Sequence, residues 1–237
     1  MYNEEKRISA TLGLVLDYCQ AWSGRTGQIF EILVVDDGSV DQSISVVNKF
    51  STGRNLGEAV FRLIKLDKNY GKGYAVRQGM LAAAGAYRLF TDADNSTPIT
   101  ELEKFWPRLA ADVLIGSRAL AGSRVAVAQA AWRQTLGRLA NVLIRALLLP
   151  DVKDTQCGFK MFSAKAAVEL FSRQQVRRWG FDFEVLAIAR RHGFQIVQVP
   201  VTWYNSADSR VRPLASAIGT LCELARIRWN LWAGKYD

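Results

Sequence analysis

The sequence predicts an α/β fold with a mostly parallel sheet flanked by helices. Short apolar runs typical of buried strands alternate with segments of helical periodicity. The first of these runs stops at an Asp-Asp-Gly-Ser turn and is followed by another helical segment. The chain has 237 residues, 49% hydrophobic and 22% charged, which is enough to bury a sizeable core. Because strands joined through helices run in the same direction, the alternation favours parallel pairing.

The first half is expected to alternate regularly from its start. Apolar residues at helical spacing predict a first helix, which begins almost at once behind an Asn3 cap with Glu4 and Glu5 in its first turn; they are Ile8, Leu12, Val15, Cys19 and Trp22. The next elements are a strand at 29–35, a helix at 41–50, a strand at 60–66, a helix at 73–84, a strand at 86–92, a helix at 100–110 and a strand at 112–117. An α/β domain normally opens with a strand, and the first strand is missing here. We expect a truncated or misassigned start, the alternative being a family that tolerates the loss of this strand.

The second half follows a different pattern, with amphipathic helices. Its expected elements are an Arg-rich amphipathic helix at 131–148, the segment DTQCGFKMF, a helix at 182–192, a strand at 195–203 and a helix at 213–232. No linker rich in Pro, Gly or Ser and no repeat separates the halves. We therefore expect one domain over 1–237, with a nucleotide-type half at 1–117 and an elaborated half at 118–237.

Charge and composition limit the classes of function. Lys and Arg number 31 against 22 Asp and Glu, so a formal charge of +9 favours anionic partners: nucleic acid, phosphorylated small molecules or an acidic membrane. The scattered Cys19, Cys157 and Cys222 argue against disulfides and a zinc site and favour a reducing compartment. The only histidine, His192, fits a helix C-terminus, which disfavours histidine-based catalysis. We find no run of ~20 apolar residues and no secretory signal.

Two acidic clusters follow predicted strands, where α/β sheets bind ligands. Asp36 and Asp37 in VVDDGS can accept hydrogen bonds from a base or a ribose, although turn and helix-cap chemistry explains them equally well. Asp92 and Asp94 in FTDADNS point the same way, with roughly 7 Å between their α-carbons. Two such carboxylates repel each other unless a cation lies between them, and oxygen ligands suit Mg²⁺ or Mn²⁺. The alternative is a solvated acidic loop.

A glycine-rich segment, NYGKGYAVRQGM, precedes a predicted helix. Gly71 and Gly73, together with Lys72 and Arg77, offer amides and cations that can approach a phosphate. The segment matches neither a P-loop nor the G-x-G-x-x-G pattern, so NTP hydrolysis and dinucleotide redox chemistry lose support. A simple helix-starting turn remains the alternative.

Taken in order, YNEE, VVDDGS, NYGKGYAVRQGM, DADNS, GSR and DTQCGFKMF resemble a family 2 glycosyltransferase of the GT-A fold, and more narrowly the dolichyl-phosphate β-glucosyltransferases and related polyprenyl-phosphate sugar synthases. The most specific part is DTQCGFK followed by RRWGFDFE. The resemblance implies transfer of glucose from UDP-glucose to a dolichyl or polyprenyl phosphate with inversion to a β-linkage. It assigns uridine contacts to Tyr2, Glu4 and Asp37, and the D-x-D positions for nucleotide and metal to Asp92 and Asp94.

The acceptor sets the remaining expectations. A lipid phosphate is already an anion and needs charge rather than a strong base, so Arg118, Arg133 and Lys160 are expected to hold it. Lys72 is expected on the donor, and Asp94, Arg118 and Asp182 are the candidate catalytic residues. If a base is used, it is Asp182, whose alternative role is a helix cap; Asp154 is either functional or a turn residue.

Three further alternatives stay open. The enzyme could be a mannosyl or N-acetylhexosamine transferase that uses GDP- or UDP-sugars, or the chain could be a nonenzymatic basic module, although no RNA- or DNA-binding motif is visible. Two predicted helices indicate peripheral binding at the cytoplasmic face of a membrane. Apolar residues flanked by arginines lie in 131–148, and Trp229 and Trp232 lie near basic residues in the last helix. The alternative is that both helices pack on the sheet. We interpret QVRRW at 175–179 as an accidental match to processive synthases.

Overall fold

The structure is a computed structural model that describes residues 1–126, 131–204 and 213–237, with the side chains of 131–134, 136 and 213–218 outside the described set. The helices are α1 (Ile8–Thr26), α2 (Ser43–Gly53), α3 (Lys72–Ala82), α4 (Ala131–Leu147), α5 (Ala164–Arg173), α6 (Phe181–Arg191) and α7 (Pro213–Trp232). The strands are β1 (Glu31–Asp36), β2 (Val60–Lys65), β3 (Tyr87–Thr91), β4 (Val113–Ser117), β5 (Arg124–Val125), β6 (Phe159–Ser163), β7 (Ile196–Pro200) and β8 (Thr202–Trp203).

The strands form three hydrogen-bonded groups. β1 pairs with β2, β5 pairs with β8, and a four-stranded sheet has the order β3-β6-β4-β7. The β1–β2, β4–β7 and β5–β8 pairs are parallel, whereas β6 runs antiparallel to both of its neighbours. The predicted α/β class with a mostly parallel sheet is confirmed. The sequence analysis treated DTQCGFKMF only as a motif and therefore missed that its second half is the buried strand β6.

The segment before α1 differs from the prediction. The helix begins at Ile8 rather than near Asn3, and no acid lies in its first turn. Asn3 has a positive φ of 55°, and the amides of Asn3 and Glu4 donate to the hydroxyls of Ser39 and Ser43. The segment YNEE is thus a loop docked on the turn after β1, because its backbone amides find side-chain acceptors there and not in a helix.

Proline explains two other departures from the predicted elements. The region expected to be one helix at 100–110 forms two short 3-10 helices, Ile99–Lys104 and Trp106–Arg108. Pro107 has no N–H with which to continue an α-helical hydrogen-bond pattern. The strand expected at 195–203 is divided after Pro200, with β7 pairing with β4 and β8 pairing with β5. Proline favours such a break because it cannot donate a ladder hydrogen bond.

The core lies on both faces of the four-stranded sheet. Val113 and Ile115 of β4 belong to a cluster formed with α4, α5, α6 and α7, whereas Leu114 belongs to a second cluster with α1 and β1. This alternation is the period of two expected for a strand buried on both faces. Helix α3 packs against β1 and β3, which share no ladder hydrogen bonds in the described part of the chain. The ends of β1, β3 and β4 lead into Asp37, Asp92 and Arg118.

Candidate active site at the carboxyl ends of the strands

The acidic turn after β1 is fixed by its own backbone. Asp36 is fully buried and accepts hydrogen bonds from the amide and hydroxyl of Ser39 at 3.0 and 2.5 Å. The carboxylate of Asp37 accepts from the amides of Tyr70 and Gly71 at 2.8 and 2.9 Å, which ties the turn to the start of α3. Asp36 and Asp37 therefore do perform turn chemistry, while each carboxylate oxygen keeps capacity for a further donor.

The N-terminal segment lies against this turn. The amine of Met1 donates to the carbonyl of Val35 at 2.5 Å, and the amide of Asp37 donates back to Met1 at 2.9 Å. Burial lowers the pKa of the Met1 amine, against the opposing effect of nearby carboxylates that include Asp36, Asp37 and Asp92. The uridine-contact candidates Tyr2, which is 41% exposed, and Glu4, which pairs with Arg7, thus lie at the strand ends with the D-x-D segment.

Lys72 lies among the carboxylates of the D-x-D segment. Its ammonium is 2.6 Å from Asp92 Oδ1. Burial acts to lower the pKa of Lys72, but the charges of Asp92, Asp182 and Asp94 outweigh burial and raise it to about 12. Asp94 also accepts a hydrogen bond from the amide of Ser96 at 3.0 Å. Lys72 therefore stays cationic at neutral pH and compensates the repulsion among these acids.

A glycine on the neighbouring strand makes room for Asp92. Asp92 follows β3 and Gly158 precedes β6, and the amide of Asp92 donates to the Gly158 carbonyl at 3.2 Å. A Cβ at position 158 would lie 2.0 Å from Asp92 Oδ2 and 2.5 Å from its Cγ. The Asp92 carboxylate thus occupies the space of the absent side chain. This role of Gly158 was not predicted, because the glycine of the CGF triplet meets Asp92 only in the folded sheet.

Asp182 and Lys160 form a buried pair beneath the site. The Lys160 side chain is 1% exposed and that of Asp182 is 4% exposed, and the two groups form an ion pair. Lys160 also donates to the Cys157 carbonyl at 2.7 Å. Asp182 lies in the first turn of α6, where the helix dipole favours a negative charge. Lys160 therefore orients Asp182, and the acceptor contact expected of Lys160 remains a prediction.

Arg118 is held by Asp154 in a two-point contact. The guanidinium donates to both oxygens of Asp154 at 2.7 and 2.9 Å, and the Arg118 amide adds a bond of 2.9 Å. Burial acts to raise the pKa of Asp154, but Arg118 outweighs it and holds the pKa below its usual range. Arg118 keeps 30% of its side chain exposed. Asp154 thus has a clear structural role, fixing a cation whose remaining donors are free for an anion.

The structure brings most of the predicted site residues to one edge. Lys72 lies among the charges of Asp92, Asp182 and Asp94. Burial acts to lower the pKa of Arg118, but Asp154 chiefly, with a smaller effect of Asp92, raises it. The remaining candidate, Arg133, belongs to α4, but its side chain lies outside the described residues.

The donor set fits a hard divalent ion. Within the described ranges, no group of three or more His, Cys, Asp or Glu residues could hold a metal. Asp92 and Asp94 nevertheless offer two carboxylates beside a cluster of cations. Mg²⁺ is commonly bound through one or two carboxylates, with substrate phosphates and water completing its shell. The residues present therefore fit an ion that arrives with a diphosphate, and do not fit an all-protein metal cage.

Helices α4 and α7 contact each other and expose apolar side chains. These residues, which we call the α4–α7 surface, are Leu139, Val142, Leu143, Leu147, Leu221, Trp229 and Trp232. Trp232 is 74% exposed, and its ring lies 4.8 Å from that of Trp229. Among the described residues, no helix combines the length and apolarity required to span a membrane.

Comparison with known proteins identifies relatives. Residues 1–171 match the family described as Glycosyl transferase family 2. The chain is 34% identical over 246 residues to dolichyl-phosphate beta-glucosyltransferase of Homo sapiens, covering 99% of this chain and 75% of the relative. It is 32% identical over 250 residues to the Saccharomyces cerevisiae protein of the same name, covering 99% and 74%.

The fold has a solved counterpart. Glucosyl-3-phosphoglycerate synthase from Mycobacterium tuberculosis, crystallised with Mn²⁺, uridine-diphosphate-glucose and phosphoglyceric acid, matches with a TM-score of 0.66 at 18% identity, covering 96% of this chain and 77% of that one. At this identity the likeness concerns the fold, and it agrees with the GT-A arrangement that the motifs implied.

Proposed function

The chain belongs to glycosyl transferase family 2, and from that membership we propose that it transfers glucose from UDP-glucose to dolichyl or a related polyprenyl phosphate. One observation carries the proposal: a cluster of acids and cations lies at the strand ends, formed by Lys72, Asp92, Asp94, Asp182 and Arg118. The relatives of the chain are named for this activity. Because UDP-glucose is α-linked and the product of such enzymes is β-linked, the transfer inverts the anomeric carbon.

The donor binds in the half at 1–117. Tyr2, Glu4 and Asp37 contact the uridine, and Lys72 contacts the diphosphate. Asp92 and Asp94 are the residues that would hold Mg²⁺ or Mn²⁺. When bound, such an ion neutralises the charge that develops on the departing diphosphate. Lys72 contacts Asp92 through one of the three donors of its ammonium, which leaves further donors for a phosphate oxygen.

The acceptor binds in the half at 118–237. Arg118, fixed by Asp154, presents its remaining donors to the lipid phosphate, and Arg133 adds positive charge. Lys160 is buried and acts through its ion pair with Asp182. The phosphate oxygen is an anion and attacks without a strong base, so alignment is the main task of the protein. Asp182 is the nearest candidate for any proton transfer, and its pairing with Lys160 holds it in place.

The membrane supplies the acceptor. We propose that the α4–α7 surface rests on the cytoplasmic face of a membrane, where exposed leucines and tryptophans enter the lipid interface. Nearby Arg226 and Arg228, both exposed, then face anionic headgroups.

The direct test is transfer of radiolabel from UDP-glucose to a short polyprenyl phosphate with Mg²⁺, followed by organic extraction. GDP-mannose and UDP-N-acetylglucosamine run in parallel test the alternative donors. Asp94→Ala should abolish transfer, whereas Asp17→Ala, which removes an exposed acid of α1, should leave it unchanged. Label that stays in the aqueous phase with every donor would refute the proposed function. Full turnover in Asp94→Ala would refute the role of the D-x-D carboxylates.

A further inference from the structure

A cavity outside the active site is lined by cations. Its volume is about 530 Å³, and its walls come from the start of α3, the segment 172–177, and α7 with the residues that follow it. The charged side chains that line it are all basic: Arg77, Arg173, Arg177, Arg226 and Lys235. None of the active-site carboxylates contributes to these walls.

Most of this charge is not neutralised by ion pairs. Arg77 donates to the carbonyls of Phe171 and Ser172, which carry no net charge. Among the described residues, Arg177, Arg226 and Lys235 form no ion pair within 4.0 Å. The cavity therefore concentrates positive charge that repels itself when nothing is bound.

Arg173 adds an unpaired donor at the same place. It has one carboxylate partner, Glu169, at 3.7 Å. Its Nε is buried and has no hydrogen-bond partner among the described residues. A buried donor without an acceptor costs free energy.

The buried acid under the segment 174–177, Glu184, does not cancel the charge of the cavity. Its carboxylate accepts from the amides of Gln175 and Val176 and from the hydroxyl of Tyr236. Burial raises the pKa of Glu184 even though these donors and Arg226 oppose the shift. Its hydrogen-bonding capacity is directed inward, so the guanidinium groups at the cavity remain available to a ligand.

We propose that this cavity binds a phosphate-bearing anion, such as a phosphomonoester or a pyrophosphate. The planar donor forks of several arginines match phosphate oxygens, and a lysine adds a point charge. The volume is within the usual range of small-molecule sites. Two sources share this chemistry, a soluble phosphorylated compound and the headgroup of a phosphomonoester lipid. The proposal is independent of the transfer reaction.

The test compares two double variants with the wild-type chain. R226Q/K235Q removes two cations from the cavity, and R25Q/K49Q removes two exposed cations of α1 and α2, outside both the cavity and the α4–α7 surface, so both variants have the same net charge. Calorimetric titration with inorganic pyrophosphate in metal-free buffer follows soluble binding. Flotation with phosphatidylcholine vesicles that contain either phosphatidic acid or phosphatidylglycerol follows headgroup binding.

We expect R226Q/K235Q to weaken one of these interactions by about tenfold or more, and R25Q/K49Q to leave it near the wild-type value. If R226Q/K235Q loses binding to pyrophosphate, the ligand is a soluble compound. If it loses binding only to vesicles that contain phosphatidic acid, the ligand is a lipid headgroup. Equal weakening by both double variants, or no effect of R226Q/K235Q in either assay, would overturn the proposal. If R226Q/K235Q does not fold, R177Q, at an exposed lining residue, takes its place with the same criteria.

Discussion

Replacing Gly158 by alanine tests the geometry of the D-x-D carboxylates most directly. The new Cβ would lie 2.5 Å from Asp92 Cγ, whereas ordinary contacts begin at 3.4 Å, so the carboxylate must move by about 1 Å. A displacement of that size can cost ~10²-fold in rate, or about 2.7 kcal/mol of barrier. We expect glucose transfer to fall by roughly that factor, because Asp92 can no longer meet the metal and the diphosphate.

Stability should also fall, by a free energy of the same order as the rise in the barrier. Overpacking costs about 1–3 kcal/mol, and the partly exposed Lys72–Asp92 pair adds at most about 1 kcal/mol. The matched control is Gly24→Ala in α1, where an added Cβ meets nothing within 4 Å and helix propensity favours alanine by about 0.5–1 kcal/mol. Transfer assays and urea denaturation of both variants give the comparison. Wild-type transfer by folded Gly158→Ala would refute the assigned position of Asp92.

Three further predictions follow from the same contacts. Lys72→Met should raise the KM for UDP-glucose by about tenfold or more, because it removes a cation beside the diphosphate. Lys68→Met, on the adjoining loop, should leave this KM unchanged. Initial rates across donor concentrations measure both values. Asp154→Asn should reduce transfer to the lipid phosphate more than metal-dependent hydrolysis of UDP-glucose. Arg118 lowers the pKa of Asp154 in the folded protein. The stability that their ion pair contributes is therefore present above the unfolded pKa of Asp154, about 4, and is lost as the pH falls through the lower folded pKa. The urea midpoint should consequently drop on acidification less steeply in Asp154→Asn than in the wild type. Tyr236→Phe removes a buried hydroxyl that donates to Glu184 at 2.6 Å and should cost about 1–3 kcal/mol in urea denaturation, whereas Tyr204→Phe at an exposed position should cost almost nothing.

Strand ends were well predicted because hydrophobic periodicity is a local signal. β1, β2, β3 and β4 lie where apolar runs stop at polar turns, and these turns place Asp37, Asp92 and Arg118. His192 caps the C-terminus of α6 as expected from the glycine after it. The helix at Ile8 was placed a turn too early because Asn3 and Glu4 satisfy their amides through Ser39 and Ser43, which are distant in sequence.

Contacts across strands were beyond local reasoning. Nothing near Asp92 in the sequence indicates that its carboxylate fills the space above Gly158, since the two meet only when β6 pairs with β3. Asp154 was left open between a functional and a turn residue, because its two-point contact with Arg118 depends on the same tertiary arrangement. Lys160 and Asp182 likewise form their pair only in the folded core.

The gap in strand pairing between β1 and β3 has a dynamic consequence. The acidic turn belongs to one hydrogen-bonded group and the D-x-D segment to another, and helix α3 packs against both. Side-chain packing, rather than a continuous ladder, therefore sets the spacing between them. Amides of β1 and β2 should exchange with deuterium through a partial opening of lower free energy than global unfolding, and a ligand that spans the two groups should slow that exchange.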